Sequence, residues 1–297
     1  MESRSIFVGA ISWEERSSLG VKRVSSGAGF ANALFIRFEE WSDWTVQALE
    51  DVSNLCDNRN ITHEEIVLSY RHPERTWQAL RDVLWREVRA DDDVVVDIST
   101  MPRETIWTVF FFLQAIKANV RYVYHKPNHY SREWLSRDPE RPRFVFQMSG
   151  EARLGLETVL LVATGFDAAR TEQLIRTFEP SKTILALQSG DQFNNVSQNV
   201  NSHYALVGGP AASATGVQSF DVDAYSPDHG QSVIEEHMAT YIQSANVLCA
   251  SLGPKLSAVA LYKLNRRYPQ AALVYAPSGE YHREYSGGIG ESLWGRL

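Results

Sequence analysis

The chain has 297 residues, 44% hydrophobic and 22% charged, an ordinary balance for a globular protein and enough for two domains of common size. Its formal charge is −7, from 29 basic and 36 acidic residues, and no run of Lys or Arg is long enough to follow a phosphate backbone, which argues against duplex nucleic acid as a partner. The opening MESRSIFVGAISWEERSS holds only a short apolar stretch before Trp13-Glu14-Glu15-Arg16, too brief for a signal peptide or a membrane span, so a cytoplasmic protein that avoids membranes is expected.

Short apolar or β-branched runs alternate with amphipathic stretches from the first residue, the pattern of a largely parallel sheet with crossover helices. Strands are expected at 5–11, 33–38, 65–70, 93–98 and 121–125, with helices between them. The clearest helix opens at Pro73, where proline suits the first turn, and carries Trp77, Leu80, Val83, Leu84 and Val88 on one apolar face. The two cysteines, Cys56 at a helix end and Cys249 in a buried strand, suit neither a disulfide framework nor a metal site, and no cofactor is expected. Asn128 to Arg143 is polar, charged and contains two prolines, so a link over 128–150 should separate a first half, 1–127, from a second, 151–297. Strand signals restart at 143–148, 157–164, 182–188, 217–222, 246–250 and 272–276. The Asn-rich segment from Asn194 to Tyr204 reads as a loop in place of a helix, either a lid or a plain surface connection. From Tyr281 to Leu297 a tail of the second half carries Gly287, Gly288 and Gly290, either an anion-binding nest or a turn that docks Trp294. The expected fold is therefore α/β: two tandem Rossmann-like halves with largely parallel sheets, related by a pseudo-two-fold.

That relation rests on an internal repeat. From Val67 the order is strand, Tyr70, a turn to Pro73, a long helix, the strand 93–98, then Ser99-Thr100-Met101-Pro102-Arg103 opening a helix. From Val217 it is strand, Tyr225, a turn to Pro227, a long helix, the strand 246–250, then Ser251-Leu252-Gly253-Pro254-Lys255 opening a helix. Farther on, Val123-Tyr124 then Tyr130 matches Val274-Tyr275 then Tyr281. The starts also correspond, Ser12-Trp13-Glu14-Glu15-Arg16 with Thr164-Gly165-Phe166-Asp167-Ala168-Ala169-Arg170, once a one-residue gap aligns the arginines.

In open parallel sheets ligands bind beyond the carboxyl ends of the strands, where helix N-termini point outward. The four turns 12–16, 99–103, 164–170 and 251–255 all lie at such places, so Ser12, Glu14, Arg16, Asp97, Ser99, Thr100, Arg103, Tyr130, Thr164, Gly165, Asp167, Arg170, Gly253, Lys255 and Tyr281 form the candidate site. Arg103 and Lys255 place a cation where a helix dipole already favours an anion, and Gly253 lets backbone come close. Each residue has a plainer role as well. Ser99 or Thr100 can cap a helix, Arg16 and Arg170 can pair with Glu14 and Asp167, and Tyr130 and Tyr281 can pack rather than stack on a base.

The segment VVVDISTMPRETIW, Val94 to Trp107, resembles the strand-then-loop motif of CRISPR-associated Rossmann-fold (CARF) domains, with Asp97, Ser99, Thr100 and Arg103 in comparable places and Met101-Pro102 where that family has paired glycines. Leu252-Gly253-Pro254-Lys255 keeps one glycine and the cation without the acid. The resemblance implies a pocket for a cyclic oligonucleotide or related messenger. SAVED domains, similar and built as two CARF-like units in one chain, match the duplicated plan across nearly its whole length.

Three functions compete. The first is a sensor in prokaryotic antiphage defence or stress signalling that binds a nucleotide-derived small molecule between the halves and is read by a protein effector partner, with homo-oligomers permitted. The second is a metal-independent phosphodiesterase acting on such a messenger, with Glu14, Glu15, Asp97 and Asp167 as acid–base groups and Tyr130, His125 or His282 as alternates. No metal-ligand, nucleophile-elbow or phosphate-loop motif supports it. The third is an interaction module presenting Trp41, Trp44 and Trp134, unless these cover the sheet.

Overall fold

The structure is a computed structural model that describes residues 4–27, 29–131, 133–189 and 216–297, so the segment Asn194 to Tyr204 lies outside the described residues. The chain divides into two units, one of Met1–Glu133 with His282–Leu297 and the other of Trp134–Tyr281.

In unit 1 the order is β1 (Ser5–Ala10), α1 (Arg16–Gly27), β2 (Asn32–Phe38), a 3-10 turn (Glu39–Trp41), α2 (Ser42–Asn58), β3 (Thr62–Leu68), α3 (Pro73–Glu87), β4 (Asp93–Asp97), α4 (Arg103–Ile116), β5 (Asn119–His125) and β6 (His129–Tyr130). Two strands from the end of the sequence complete it, β15 (Ser286–Gly287) and β16 (Ser292–Arg296). Five strands are parallel in the order β5-β4-β1-β2-β3, and β16 runs antiparallel along β5. The central strands SIFVGA and DVVVD are nearly continuous in apolar residues, as burial on both faces requires, whereas the edge strand THEEIVL buries none of its four polar residues and exposes Thr62 and Glu65. One face of the sheet buries Phe7, stacked on Phe30 at 4.8 Å between centroids, with Phe35, Val52 and Cys56. Helix α4 is buried nearly all round, Trp107, Phe110 and Leu113 included, and so reads as apolar on every side rather than amphipathic.

Unit 2 repeats the plan. Its elements are β7 (Ser136–Pro139), β8 (Arg143–Phe144), β9 (Thr158–Ala163), α5 (Ala168–Phe178), β10 (Lys182–Gln188), β11 (Gly216–Val222), α6 (Gln231–Ser244), β12 (Asn246–Ser251), α7 (Lys255–Arg267), β13 (Ala272–Tyr275) and β14 (Ser278–Tyr281). The parallel order β13-β12-β9-β10-β11 is that of unit 1, and β8 runs antiparallel on the outer edge of β13 as β16 does on β5. Both units thus have the largely parallel α/β sheets expected of tandem Rossmann-like halves.

Three expectations are corrected. The tail does not extend the second half: β16 covers the edge of β5, where its backbone satisfies polar groups that an edge strand leaves open. The link over 128–150 is not a spacer, because β6, β7 and β8 lie within it and pair with β15, β14 and β13. The strand expected at 143–148 stops after Phe144, since Gln147 adopts a left-handed φ of 61° and turns the chain. Among the described residues no helix is long and apolar enough to cross a membrane.

Candidate functional site

The first βα turn of unit 1 is built around a buried ion pair. Arg16, 2% exposed, donates from Nε and Nη2 to Glu14 Oε2 at 3.1 and 2.8 Å, and from Nη1 to the carbonyl of His125, the last residue of β5, at 3.1 Å. Burial works against the guanidinium charge, but Glu14 beside it and the Tyr124 and Tyr130 hydroxyl groups more than restore it, so Arg16 stays charged. Ser12 shapes the turn, its hydroxyl accepting from the Glu14 amide at 3.3 Å and its amide bonding Ser17 Oγ at 3.1 Å. The Tyr130 hydroxyl lies 3.1 Å from that of Tyr124, and burial holds it protonated.

Unit 2 has the same arrangement at the aligned positions. Asp167 caps α5 by accepting from the Arg170 amide at 3.2 Å, and its other oxygen accepts from Arg170 Nε at 2.9 Å. Arg170 Nη1 then donates to the carbonyl of Ala276, just past β13, at 3.1 Å. Thr164 is fully buried and bonded to the Ala186 carbonyl. The one-residue gap needed to align the arginines is therefore absorbed by the acid, and both guanidinium groups reach the same point of the fold. Arg16 and Arg170, expected in the ligand site, tie the first turn of each unit to the end of its last parallel strand, with Glu14 and Asp167 as their counterions.

The second turns differ from each other more. In unit 1 Asp97 accepts from the Ser99 amide at 2.9 Å and from Ser99 Oγ at 2.5 Å, and Ser99 Oγ accepts from the His125 amide at 2.8 Å. His125 is fully buried, its Nε2 3.5 Å from Asp97 Oδ2 and its Nδ1 2.8 Å from Ser292 Oγ. Burial lowers its pKa despite the pull of Asp97. Thr100 donates to the Ala10 carbonyl at 3.0 Å, so Ser99 and Thr100 fix the turn, and the α4 N-cap residue is Pro102, which offers no side-chain cap. In unit 2 the N-cap of α7 is Pro254, again without a side-chain cap. Each helix then begins with a partly exposed cation, Arg103 or Lys255.

Gly165 and Gly253 bring the two turns of unit 2 into backbone contact. A Cβ on Gly165 would run into the Leu252 carbonyl, and one on Gly253 would sit 2.5 Å from the Thr164 carbonyl oxygen. Behind them Gln188 donates to Ser257 Oγ at 3.3 Å, while Gln188 Oε1 and Ser251 Oγ are buried with no hydrogen-bond partner, so polar groups converge at the start of α7. Tyr281 is partly exposed at the end of β14 and pairs with Ser136. Among the described residues no three His, Cys, Asp or Glu side chains gather as metal ligands.

In unit 1 the structure brings together Ser12, Glu14, Arg16, Asp97, Ser99, Thr100 and Tyr130, and in unit 2 Thr164, Gly165, Asp167, Arg170 and Gly253, chiefly through bonds to one another and to backbone. Gln188 and Ser257 belong beside Lys255 but carry no motif that the sequence could display. Ser136 and Ser286 also escaped notice. Ser136 donates to Asp167 Oδ2 at 3.1 Å and Ser286 donates to Glu14 Oε2. Their signal lay one step past the repeat as aligned, six residues after Tyr130 and five after Tyr281.

No family model matches the chain, and no curated protein matches it. The fold is similar to that of a type III CRISPR defence DNA nuclease activated by cyclic oligoadenylate, at a TM-score of 0.57 and 11% identity over 91% of this chain and 65% of that one. The chain thus spans less than two thirds of the nuclease it matches, and at this identity the likeness concerns fold. A universal stress protein from Archaeoglobus fulgidus DSM 4304 aligns over 94% of this chain and 98% of its own at 11% identity, with a TM-score of 0.29, too low to bear on the fold.

Proposed function

We propose that the chain is a sensor of a nucleotide-derived, phosphate-bearing ligand of the cyclic-oligonucleotide kind, acting in prokaryotic defence or stress signalling through a protein effector. The observation that carries this is the twice-built start of α4 and α7. Each has as N-cap a proline, whose side chain cannot cap, and a cation as first helical residue. The positive end of a helix dipole and a cation in the first helical turn are what a phosphate group selects. The fold likeness to a nuclease activated by cyclic oligoadenylate supports the choice of ligand class. Arg103 and Lys255 hold phosphate oxygens, and Ser251 and Gln188 offer polar groups to the ligand in unit 2. Glu14, Arg16, Asp167 and Arg170 keep the turns in place behind the site.

The test is a melting-temperature screen against mononucleotides, linear dinucleotides and cyclic oligonucleotides, followed by recovery of any stabilising ligand. At 100 times its dissociation constant a ligand stabilises by about 2.7 kcal/mol, a readily measured shift. A cyclic oligonucleotide should stabilise and be recovered intact. Arg103→Ala and Lys255→Ala should each weaken binding by about tenfold or more while melting normally without ligand, as loss of a charge-assisted hydrogen bond implies. Binding unchanged in both variants overturns the site, and cleavage of the ligand replaces the sensor with the phosphodiesterase.

A further inference from the structure

Each sequence half ends in three short strands after its last parallel strand: β6, β7 and β8 after β5, and β14, β15 and β16 after β13. In both cases the first stays with its own half and the next two belong to the unit built from the other half. Strand β15 pairs with β6 and places Ser286 opposite Tyr130, while β7 pairs with β14 and places Ser136 opposite Tyr281. Strand β16 covers the edge of β5 and β8 covers the edge of β13.

Each arm ends on a polar circuit of the same kind, one in each unit. Ser286 Oγ donates to Glu14, which holds Arg16, which holds the His125 carbonyl at the end of β5. Ser136 Oγ donates to Asp167, which holds Arg170, which holds the Ala276 carbonyl just past β13. The acids differ, and so does their spacing from arginine, yet serine, acid, arginine and strand-end carbonyl recur in order. In unit 1 the arm is secured further: the Gly288 amide donates to Glu15 Oε2 at 2.7 Å, Arg23 donates to the Gly290 carbonyl and to Ser292 Oγ, and the amides of Asn128 and Lys126 bond the carbonyls of Gly287 and Glu291. In unit 2 the Glu140 amide bonds the Pro277 carbonyl, the Val145 amide bonds the Leu273 carbonyl, and Arg137 pairs with Glu280.

We propose that Glu14 with Arg16 and Asp167 with Arg170 are receptor sites for a serine-bearing extended segment of the opposite sequence half, and that reciprocal exchange of these arms makes the chain a fused, arm-exchanged pair. The partner each site takes is a strand that adds to an open sheet edge and delivers one hydroxyl to the carboxylate of an acid–arginine pair, buried at Glu14 and partly buried at Asp167. This assignment goes beyond the ligand sensor and stands without it.

The experiment inserts a protease recognition sequence after Leu154, which is fully exposed and followed by Gly155 with open space around it. Cutting there leaves no covalent bond between the sequence halves. The cut parent should run as a single particle of full mass on size exclusion, its halves separating only in urea. Ser136→Ala with Ser286→Ala should lower the urea concentration of separation, whereas Ser244→Ala, an exposed helical hydroxyl bonded only within α6, should not. Matching circular dichroism of the uncut variants checks that folding survives the lost hydroxyls. Halves of the cut parent that part in plain buffer overturn the proposal, as does a double variant that separates at the parent's urea concentration.

Discussion

Replacing Arg16 with alanine leaves the Glu14 carboxylate, itself 8% exposed, without its counterion and frees the carbonyl of His125. Breaking a buried ion pair from one side costs about 3–5 kcal/mol, far above the 1 kcal/mol or less of a surface pair. Urea unfolding with an m-value of about 2 kcal/mol/M turns this into a fall in midpoint of roughly 2 M. Tryptophan fluorescence suits the measurement, because seven of the eight tryptophans belong to unit 1 and only Trp134 to unit 2. Replacing both partners, Glu14→Gln with Arg16→Met, should recover much of the loss, since no charge is then stranded. A midpoint shift below about 0.5 M for Arg16→Ala would refute the assignment, because a guanidinium so loosely held is free to serve a ligand.

Two further outcomes follow from groups inside each unit. His125 has a folded pKa lowered by burial, with Arg23 and Arg16 also disfavouring its proton and Asp97 favouring it, so protonation favours the unfolded chain. Stability of unit 1 should therefore be fullest above the ordinary histidine pKa of about 6.5 and decline as pH falls below it, and His125→Gln should flatten that decline in fluorescence-detected urea titrations between about pH 7 and 5. An equal decline in the variant would remove His125 as its source. In unit 2 the space for a Cβ on Gly253 is taken by the Thr164 carbonyl, so Gly253→Ala should lower stability by about 1–3 kcal/mol as overpacking does, seen as a lower melting temperature by circular dichroism, and an unshifted melt would show that the turn yields.

The parallel sheets were legible in the sequence because buried strands such as β1, β4 and β9 are short, largely apolar runs, and because proline marks the starts of α3, α4 and α7. The arms were not legible. Apart from β8, which the strand signal at 143–148 announced without its partner, these strands of two to five residues carry no periodicity, and their partners lie far away in sequence, so only backbone ladders define them. The candidate site was legible as a set of turns but not in its division of labour. An acid and an arginine at a strand end read alike whether they face a ligand or a backbone carbonyl, and the carbonyls concerned are 109 and 106 residues distant. Gly253 likewise announced a close approach, and the approaching group is the neighbouring turn.

The arm topology also sets an order of assembly during synthesis. Unit 2 is complete once Tyr281 has been made, since every strand it uses precedes that residue. Unit 1, begun first, holds the edge of β5 open until residues 282–297 have followed. At about 5–20 residues per second the ribosome needs roughly ten to thirty seconds to travel from Glu133 to Leu297. For that interval unit 1 presents β5 with one edge unpaired, and a nascent chain that stalls in it exposes that edge to whatever lies nearby.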